Sequence, residues 1–249
     1  MSVITDPLAL GTVLSIWAHP DDEAYNSGGI MAASVDGGQR VVCVTATRGE
    51  AGFPDDDPRP LAERAAVREA ELEQCLKVLG VTDHRYLTGL ADGGCADVDD
   101  DGPIAQIVAI LDEVKPDTVL TFSPEGDTYH PDHMAISRWT TRAVRSRALD
   151  VRPTLYYFAM TQEWVDRFLA GADPSEVLMD PTKPVPVVDP SVITVSVALD
   201  EHAAARKVQA LRCQASQTTA LIDAVGLDAY LEGNREETYR LATPDDWPD

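Results

Sequence analysis

Two short segments of the chain bring histidine and aspartate together: His19-Pro20-Asp21-Asp22-Glu23 and His130-Pro131-Asp132-His133. Of five histidines, three fall in these segments. Imidazole and carboxylate are the ligand set of a hydrolytic divalent metal such as zinc. His19 and Asp22 are three positions apart, so a turn or a first helical turn puts both side chains on one side, while Asp21 projects differently. With His133 they make a His-Asp-His set with a position left for water, the catalytic rather than the structural zinc pattern. Water in such a position has its pKa lowered to about 7. Asp21 is the candidate base for its proton. His130, three residues before His133 at a helix start, can face the same pocket without ligating. A protonated imidazole there would hydrogen-bond a developing oxyanion or protonate a leaving amine. Asp132 would orient or charge-stabilise a neighbouring histidine.

Taken singly, either segment also fits a turn or a helix cap that holds no metal. Their positions decide the matter, because each falls just past the end of an expected strand. Val13 to Trp17 reads as a buried strand that runs into His19. Ser27-Gly28-Gly29 opens a helix that lasts to about Val35. Arg40 to Thr45 is a second strand, and Leu61 to Leu79 is a long amphipathic helix stopped by Gly80. His84 to Leu87 is a short strand, and Ile104 to Val114 is a helix stopped by Lys115-Pro116. Thr118 to Phe122 is the strand before the second histidine segment, with a helix from Asp132 to about Arg147 and a strand from Thr154 to Ala159. This alternation predicts an α/β, Rossmann-like, doubly wound and mostly parallel sheet with helices on both faces. In such sheets ligands bind at the carboxyl ends of the strands, where distant segments converge.

Beyond Met160 the pattern weakens. Residues 161–190 hold five prolines and read as an irregular insertion with at most a short helix near Glu163 to Leu169. A strand from Ile193 to Val197 and a helix from Glu201 to Ala215, capped by Asp200, follow. The tail after Ala242 is expected to be disordered. No repeat or low-complexity linker interrupts the chain. The expectation is one domain over 1–249, with a core over about 10–160, the insertion over 161–190 and a C-terminal extension over about 191–242.

Composition narrows the function classes. The chain has 249 residues, 44% hydrophobic, and a net charge of −22. Such a charge repels nucleic-acid backbones and anionic membranes, so neither is an expected partner. Asp97 to Gly102 imitates the start of an EF-hand loop, but Val108 stands where the bidentate glutamate belongs. Cys43, Cys75, Cys95 and Cys213 form no C-x-x-C pair and read as reduced and structural. His84 and His202 lack companions and read as surface residues. The start, Met1 to Leu10, has no signal-peptide pattern, and no apolar run is long enough for a bilayer, so the expected location is cytoplasmic. There is no G-x-S-x-G elbow, no Walker A loop and no G-x-G-x-x-G.

The pentapeptide His19 to Glu23 with the later tetrapeptide His130 to His133 resembles the LmbE-like (PIG-L-like) superfamily of zinc-dependent N-deacetylases. Its members deacetylate N-acetylglucosamine-containing molecules or cleave related amides in mycothiol and bacillithiol metabolism. The resemblance covers most of the first 160 residues. It implies metal ligands at His19, Asp22 and His133, a general base at Asp21, and an oxyanion-stabilising or acid histidine at His130 supported by Asp132. It also implies that the loop Thr47 to Gly52, with Arg48 and Glu50, lines the substrate side. Arg68 and Glu71 match an R-x-x-E helix, and Asp92-Gly93 matches a segment that contacts sugar hydroxyls. Two positions depart from the family pattern. Tyr129 stands where relatives commonly have glycine, so a phenol would narrow the pocket or stack on substrate. Gln214 stands where a histidine often precedes Ser216-Gln217.

The resemblance predicts a Zn2+ enzyme, with Fe2+ also suited to the ligands, that removes an N-acetyl group from an N-acetylglucosamine-type amino sugar or its conjugate. Its partner is then that small molecule, and a homo-oligomer is left open. Arg48, Arg68 and Asp92 would hold hydroxyls or an anionic group. One alternative is a mycothiol-type S-conjugate amidase. Another is a non-catalytic protein that keeps the metal, against which the intact Asp21 argues, since a binder needs no base.

Overall fold

Runs of β-branched and aromatic residues make the strands, and amphipathic runs make the helices between them. The computed structural model describes residues 2–169 and 178–246. In chain order the main elements are β1 (Val13–Trp17), α1 (Asp22–Asp36), β2 (Val41–Thr45), α2 (Leu61–Leu79), β3 (Asp83–Tyr86), α3 (Asp101–Val114), β4 (Thr118–Thr121), the single turn α4 (Gly126–Tyr129) and α5 (Pro131–Arg145). There follow β5 (Thr154–Phe158), α6 (Gln162–Leu169), β6 (Ile193–Ala198), α7 (Glu201–Cys213), α8 (Ala215–Val225), α9 (Leu227–Gly233) and β7 (Glu236–Leu241).

The strands form one sheet in the order β3-β2-β1-β4-β5-β7-β6. The first five pair in parallel, with Val13 of β1 between Val41 of β2 and Thr118 of β4. From β1 the chain winds through β2 to β3, and from β4 it winds the opposite way to β5. Right-handed crossovers in opposite directions put α1 and α2 on one face and α3 and α5 on the other. Contacts agree: α7 joins α1 and α2, while α3 packs on α5. The winding reverses between β1 and β4, the switch point at which a crevice opens beyond the strand ends. Both histidine segments leave their strands there. β1 and β2 are buried along their whole length, as strands covered on both faces must be. One apolar cluster runs from Leu10 to Tyr239, with Trp17, Trp139 and Tyr157 among its largest members.

The mostly parallel, doubly wound sheet matches the expectation, and β1 and α2 have the bounds read from the sequence. Several details differ. α1 begins at Asp22, not Ser27, so the glycine pair lies inside the helix. There a Cβ at Gly29 would come within 2.5 Å of Leu199, and the bare glycine backbone lets Leu199, in the link from β6 to α7, pack against α1. α3 begins at Asp101 rather than Ile104, and the Asp97–Gly102 run sends its Asp100 carboxylate to Arg138, Trp139 and Arg142. The C-terminal part is richer than expected. Helix α7 stops at Cys213, α8 and α9 follow, and β7 inserts antiparallel between β5 and β6. Residues 243–246 of the tail are fixed, the Asp246 carboxylate taking Arg240 and the Thr243 N–H. Its last residues, 247–249, and residues 170–177 of the insertion lie outside the described part. His84 is half-buried rather than a surface residue and meets Thr45 Oγ1 at 3.0 Å, while His202 is exposed. All four cysteines are free thiols. No helix among the described residues is long and apolar enough to cross a membrane.

Candidate functional site

The exit of β1 is fixed by Thr47, whose N–H and hydroxyl both donate to the Ala18 carbonyl, at 2.9 and 3.1 Å. His19 and Pro20 follow, and then Asp21 at φ +123°. A non-glycine residue there is strained and needs support from its surroundings. Arg68, reaching from α2, supplies it. Its guanidinium donates to the carbonyls of Pro20 and Gly49 and to Asp21 Oδ2 at 3.1 Å. Gly49 and Gly52 leave room for it, since a Cβ on either would come within 2.5 Å of that guanidinium. Asp22 and Glu23 occupy the first turn of α1, where the helix dipole favours negative charge. Asp22 accepts the His19 N–H at 2.7 Å, and Glu23 accepts the Asp21 N–H at 2.9 Å.

The second segment is set by β4 and α5. Phe122 stacks on the His133 ring at 4.0 Å, and the Gly126 carbonyl meets His133 Nδ1 at 3.1 Å. These contacts turn Nε2 toward the crevice. His130 caps α5, its Nδ1 accepting the Asp132 N–H at 3.1 Å.

The two segments converge. His19 Nδ1 and His133 Nε2 are 3.2 Å apart, and Asp22 oxygens lie 3.4 Å from His133 Nε2 and 3.6 Å from His19 Nδ1. Donors held at zinc-ligand distance in a tetrahedron are separated by about 3.3 Å. The two nitrogens have the spacing of neighbouring zinc ligands, Asp22 meets them with different oxygens, Oδ1 toward His133 and Oδ2 toward His19, and the N, N, O chemistry suits a zinc-sized divalent ion. His130 is beside it, its ring centroid 4.7 Å from both other imidazoles. Ligand atoms of His19, His130 and His133 all lie within 4.8 Å of one another, as do those of His19, Asp92 and Asp132, while Asp22 adds a negative charge that His130 lacks. The far nitrogen of His19 faces a second group: Nε2 is 3.2 Å from Asp132 and 3.0 Å from Asp92. Asp132 is fixed in turn by the N–H groups of Gly93 and Cys95, at 2.8 and 3.0 Å. One imidazole thus turns a nitrogen to the donor triangle and the other to orienting carboxylates, the usual arrangement behind a metal-binding histidine.

Burial opposes charge on His19, but Asp132, Asp22 and Asp92 outweigh it and lift its pKa well above the ordinary value. Burial pushes His133 down to about 4, and burial with the neighbouring His19 lowers His130. Asp22 is buried too, yet His133 and His19 hold its carboxyl below the usual range. For Asp21 burial wins over Arg68, and its pKa is raised.

The expected substrate-side residues are distributed unevenly. Asp92 reaches His19, and its other oxygen accepts the Ala51 N–H at 2.7 Å. Glu50 accepts the Asp92 N–H at 3.1 Å, with its second oxygen buried and unpartnered. Arg68 is buried behind Asp21. Arg48 is not brought to the histidines; it is exposed, pairs with Glu69 and lies over the Tyr86 ring. Tyr129 has φ +60°, which accounts for the glycine of the family pattern. Its hydroxyl donates to the Pro184 carbonyl at 2.9 Å and its ring carries Lys183. Glu71 takes the Ser216 N–H and hydroxyl, and Gln217 donates to the Gly52 carbonyl, so α8 closes on the site loops. Two acids were given no role from the sequence. Glu23, raised to about 8 by burial, takes Gln214, so the residue in the histidine's place is bonded within this site. Asp127 is buried beside the crevice with Oδ2 unpartnered. Glu23 lay inside a quoted motif and was findable; nothing in the sequence marked Asp127.

Comparison with known proteins gives a consistent result. The family model described as PIG-L, GlcNAc-PI de-N-acetylase, matches residues 14–144. A 1D-myo-inositol 2-acetamido-2-deoxy-alpha-D-glucopyranoside deacetylase of Actinosynnema mirum is 34% identical over 249 positions, covering 89% of this chain and 86% of the relative. Among solved structures, the N,N'-diacetylchitobiose deacetylase of Pyrococcus horikoshii superposes with a TM-score of 0.58 at 21% identity, over 93% of this chain and 83% of that one. The 4-carboxy-2-hydroxymuconate hydratase of Pseudomonas putida superposes with a TM-score of 0.61 at 17% identity, over 94% and 97%. The architecture alone therefore does not fix the reaction.

Proposed function

The chain belongs to the PIG-L family, and from that membership and the site we propose a metal-dependent hydrolase that removes the N-acetyl group from an N-acetylglucosamine-type amino sugar or its conjugate. The observation that carries the reading is the His19–Asp22–His133 triangle, with donors 3.2 to 3.6 Å apart and the Arg68-held Asp21 between two of its members in sequence. These three residues would hold zinc; ferrous iron suits the same donors. Zinc in such a site supplies a Lewis acid and a water acidified to about pKa 7.

The remaining chemistry belongs to the side chains. Asp21 accepts the proton of the attacking water as a C–O bond forms at the amide carbonyl. His130 Nδ1 is occupied by the Asp132 N–H, so in the neutral ring the proton sits on Nε2. Its lowered pKa favours that neutral ring, which makes His130 a hydrogen-bond donor to the oxyanion. The proton then returns from Asp21 to the leaving nitrogen, the C–N bond breaks, the carboxyl proton passes to the freed amine, and acetate and an ammonium are released. Asp132 and Asp92 keep His19 oriented. Asp92 and the Glu50 loop, on the Nε2 side of His19, are the candidates for sugar hydroxyls, and Arg68 acts on substrate through Asp21.

The test is amine release from N-acetylglucosaminyl-inositol by the zinc-loaded enzyme, run beside a mycothiol-type S-conjugate. Turnover of the first is expected. Turnover of the S-conjugate alone would replace this reading with the amidase. Asp21→Asn should keep one bound metal, by elemental analysis, and lose at least about 10²-fold in kcat. Unchanged turnover in that variant would remove Asp21 from the chemistry.

A further inference from the structure

Beside the donor triangle lies a cavity of ≈ 280 Å³ whose lining includes Asp22 and His133. Its walls are mainly Phe158, Met160, Trp164, Val165, Val185 and Leu221, from β5, α6, the 180s segment and α8. Asp21, His130 and Asp92 are not part of that lining. A sugar needs a polar partner for each hydroxyl, and these walls offer few. An acetyl methyl is about the size of one water, ~30 Å³, and would leave most of the space empty. Pockets of this kind, apolar with a few placed polar groups, bury the apolar part of a ligand. The polar groups of the described lining are Asp22, Tyr25, Asn26, Asp127, Thr128 and His133, gathered away from those walls. Asp127 lines the cavity, is 7% exposed, and has Oδ2 without a partner. It follows Gly126, whose carbonyl meets His133 Nδ1, so it stands at the metal end. Asp22 and His133 in the lining put the amide end of a substrate beside the donor residues while its chain enters the apolar part.

The geometry points to an acyl-chain subsite: the cavity takes the acyl side of the scissile amide, and the enzyme hydrolyses aliphatic N-acyl amino sugars longer than N-acetyl. This rests on the hydrolase reading above and extends its substrate class. The reaction is the same, one water consumed, with a longer carboxylate and a free amine released.

The experiment uses the zinc-loaded full chain with N-acetyl-, N-butanoyl-, N-hexanoyl- and N-octanoyl-glucosamine, following amine release. Each methylene that enters the cavity should raise kcat/KM about fourfold until the space is filled. Val185→Trp and Leu221→Trp, on two separate and half-buried wall positions, should lower the octanoyl-to-acetyl ratio at least tenfold. Release from N-acetyl-glucosamine with kcat/KM level or falling along the series overturns the subsite and leaves the hydrolase intact. No release from any member overturns the hydrolase reading, and octanoate binding by calorimetry then decides the cavity separately. Binding with negative heat-capacity change, weakened in both tryptophan variants, supports the subsite, and absence of binding overturns it.

Discussion

His19 shows how finely the site divides labour within one residue. Nδ1 belongs to the donor triangle and Nε2 to Asp132 and Asp92. The family resemblance gave Asp132 to His130, but its carboxylate goes to His19, a contact across 113 positions that local spacing does not show. Asp132 gives its N–H to His130 and its carboxylate to His19, and so ties the two segments together. Asp132→Ala would leave Asp92 alone on His19 Nε2 and strand the Gly93 and Cys95 N–H groups, which now donate to that carboxylate. The expected loss in zinc affinity is roughly 10- to 100-fold, the usual effect of removing an orienting partner. Competition with a chromophoric chelator measures it, and an unchanged affinity would break the link between Asp132 and the metal. Arg48 carries the opposite lesson. Its loop reads correctly from sequence, but the side chain follows Glu69 and Tyr86, neighbours that no local pattern announces.

Among the elements, α1 is where reading from sequence falls short and where the fold does most for the site. The bounds of β1 and α2 were legible because one is an unbroken apolar run and the other an amphipathic run with a left-handed Gly80 after it. The start of α1 was not, because Gly28-Gly29 reads as an opening and the residues that stabilise it are far away in sequence. The Gly29 and Ile30 N–H groups donate to Glu237 at 2.7 and 2.8 Å, and the Tyr25 and Asn26 carbonyls take Lys207 and Tyr239 at 2.6 and 2.5 Å. Those N–H groups and carbonyls are the i and i−4 partners of a regular helix. Side chains from α7 and β7 thus grip the helix one turn beyond Asp22. Glu236–Leu241 begins with two glutamates, so nothing local suggested a buried strand. Lys207 and Glu237 are both buried and 2.8 Å apart. Lys207→Met or Glu237→Gln alone leaves a buried charge without its partner and should cost about 3–5 kcal/mol. The double variant should recover part of that loss. Urea denaturation of the four proteins measures the coupling, and simple additivity of the two losses would show that the pair is not a unit.

At the scale of the whole molecule the dominant quantity is the net charge of −22, which strains the compact state by self-repulsion and draws divalent cations toward every acidic surface. Stabilisation by zinc therefore has two sources that must be separated: screening of the general field, and occupation of the His19–Asp22–His133 triangle. A specific site stabilises the folded state by mass action, about 2.7 kcal/mol at a free concentration one hundred times Kd. For a chain of this length each kcal/mol moves Tm by about 2–4 °C, so chelation of the loaded protein should lower Tm by about 5–10 °C. Sodium chloride relieves repulsion without filling the triangle and should raise Tm equally in wild type and His133→Ala. Zinc at the same ionic strength should raise Tm in wild type and do little in His133→Ala, which lacks one corner of the triangle. Scanning calorimetry of both proteins, chelated, salt-treated and zinc-loaded, separates the two sources. If His133→Ala gains as much from zinc as the wild type does, the ion is acting on the acidic surface and the donor triangle is not its site.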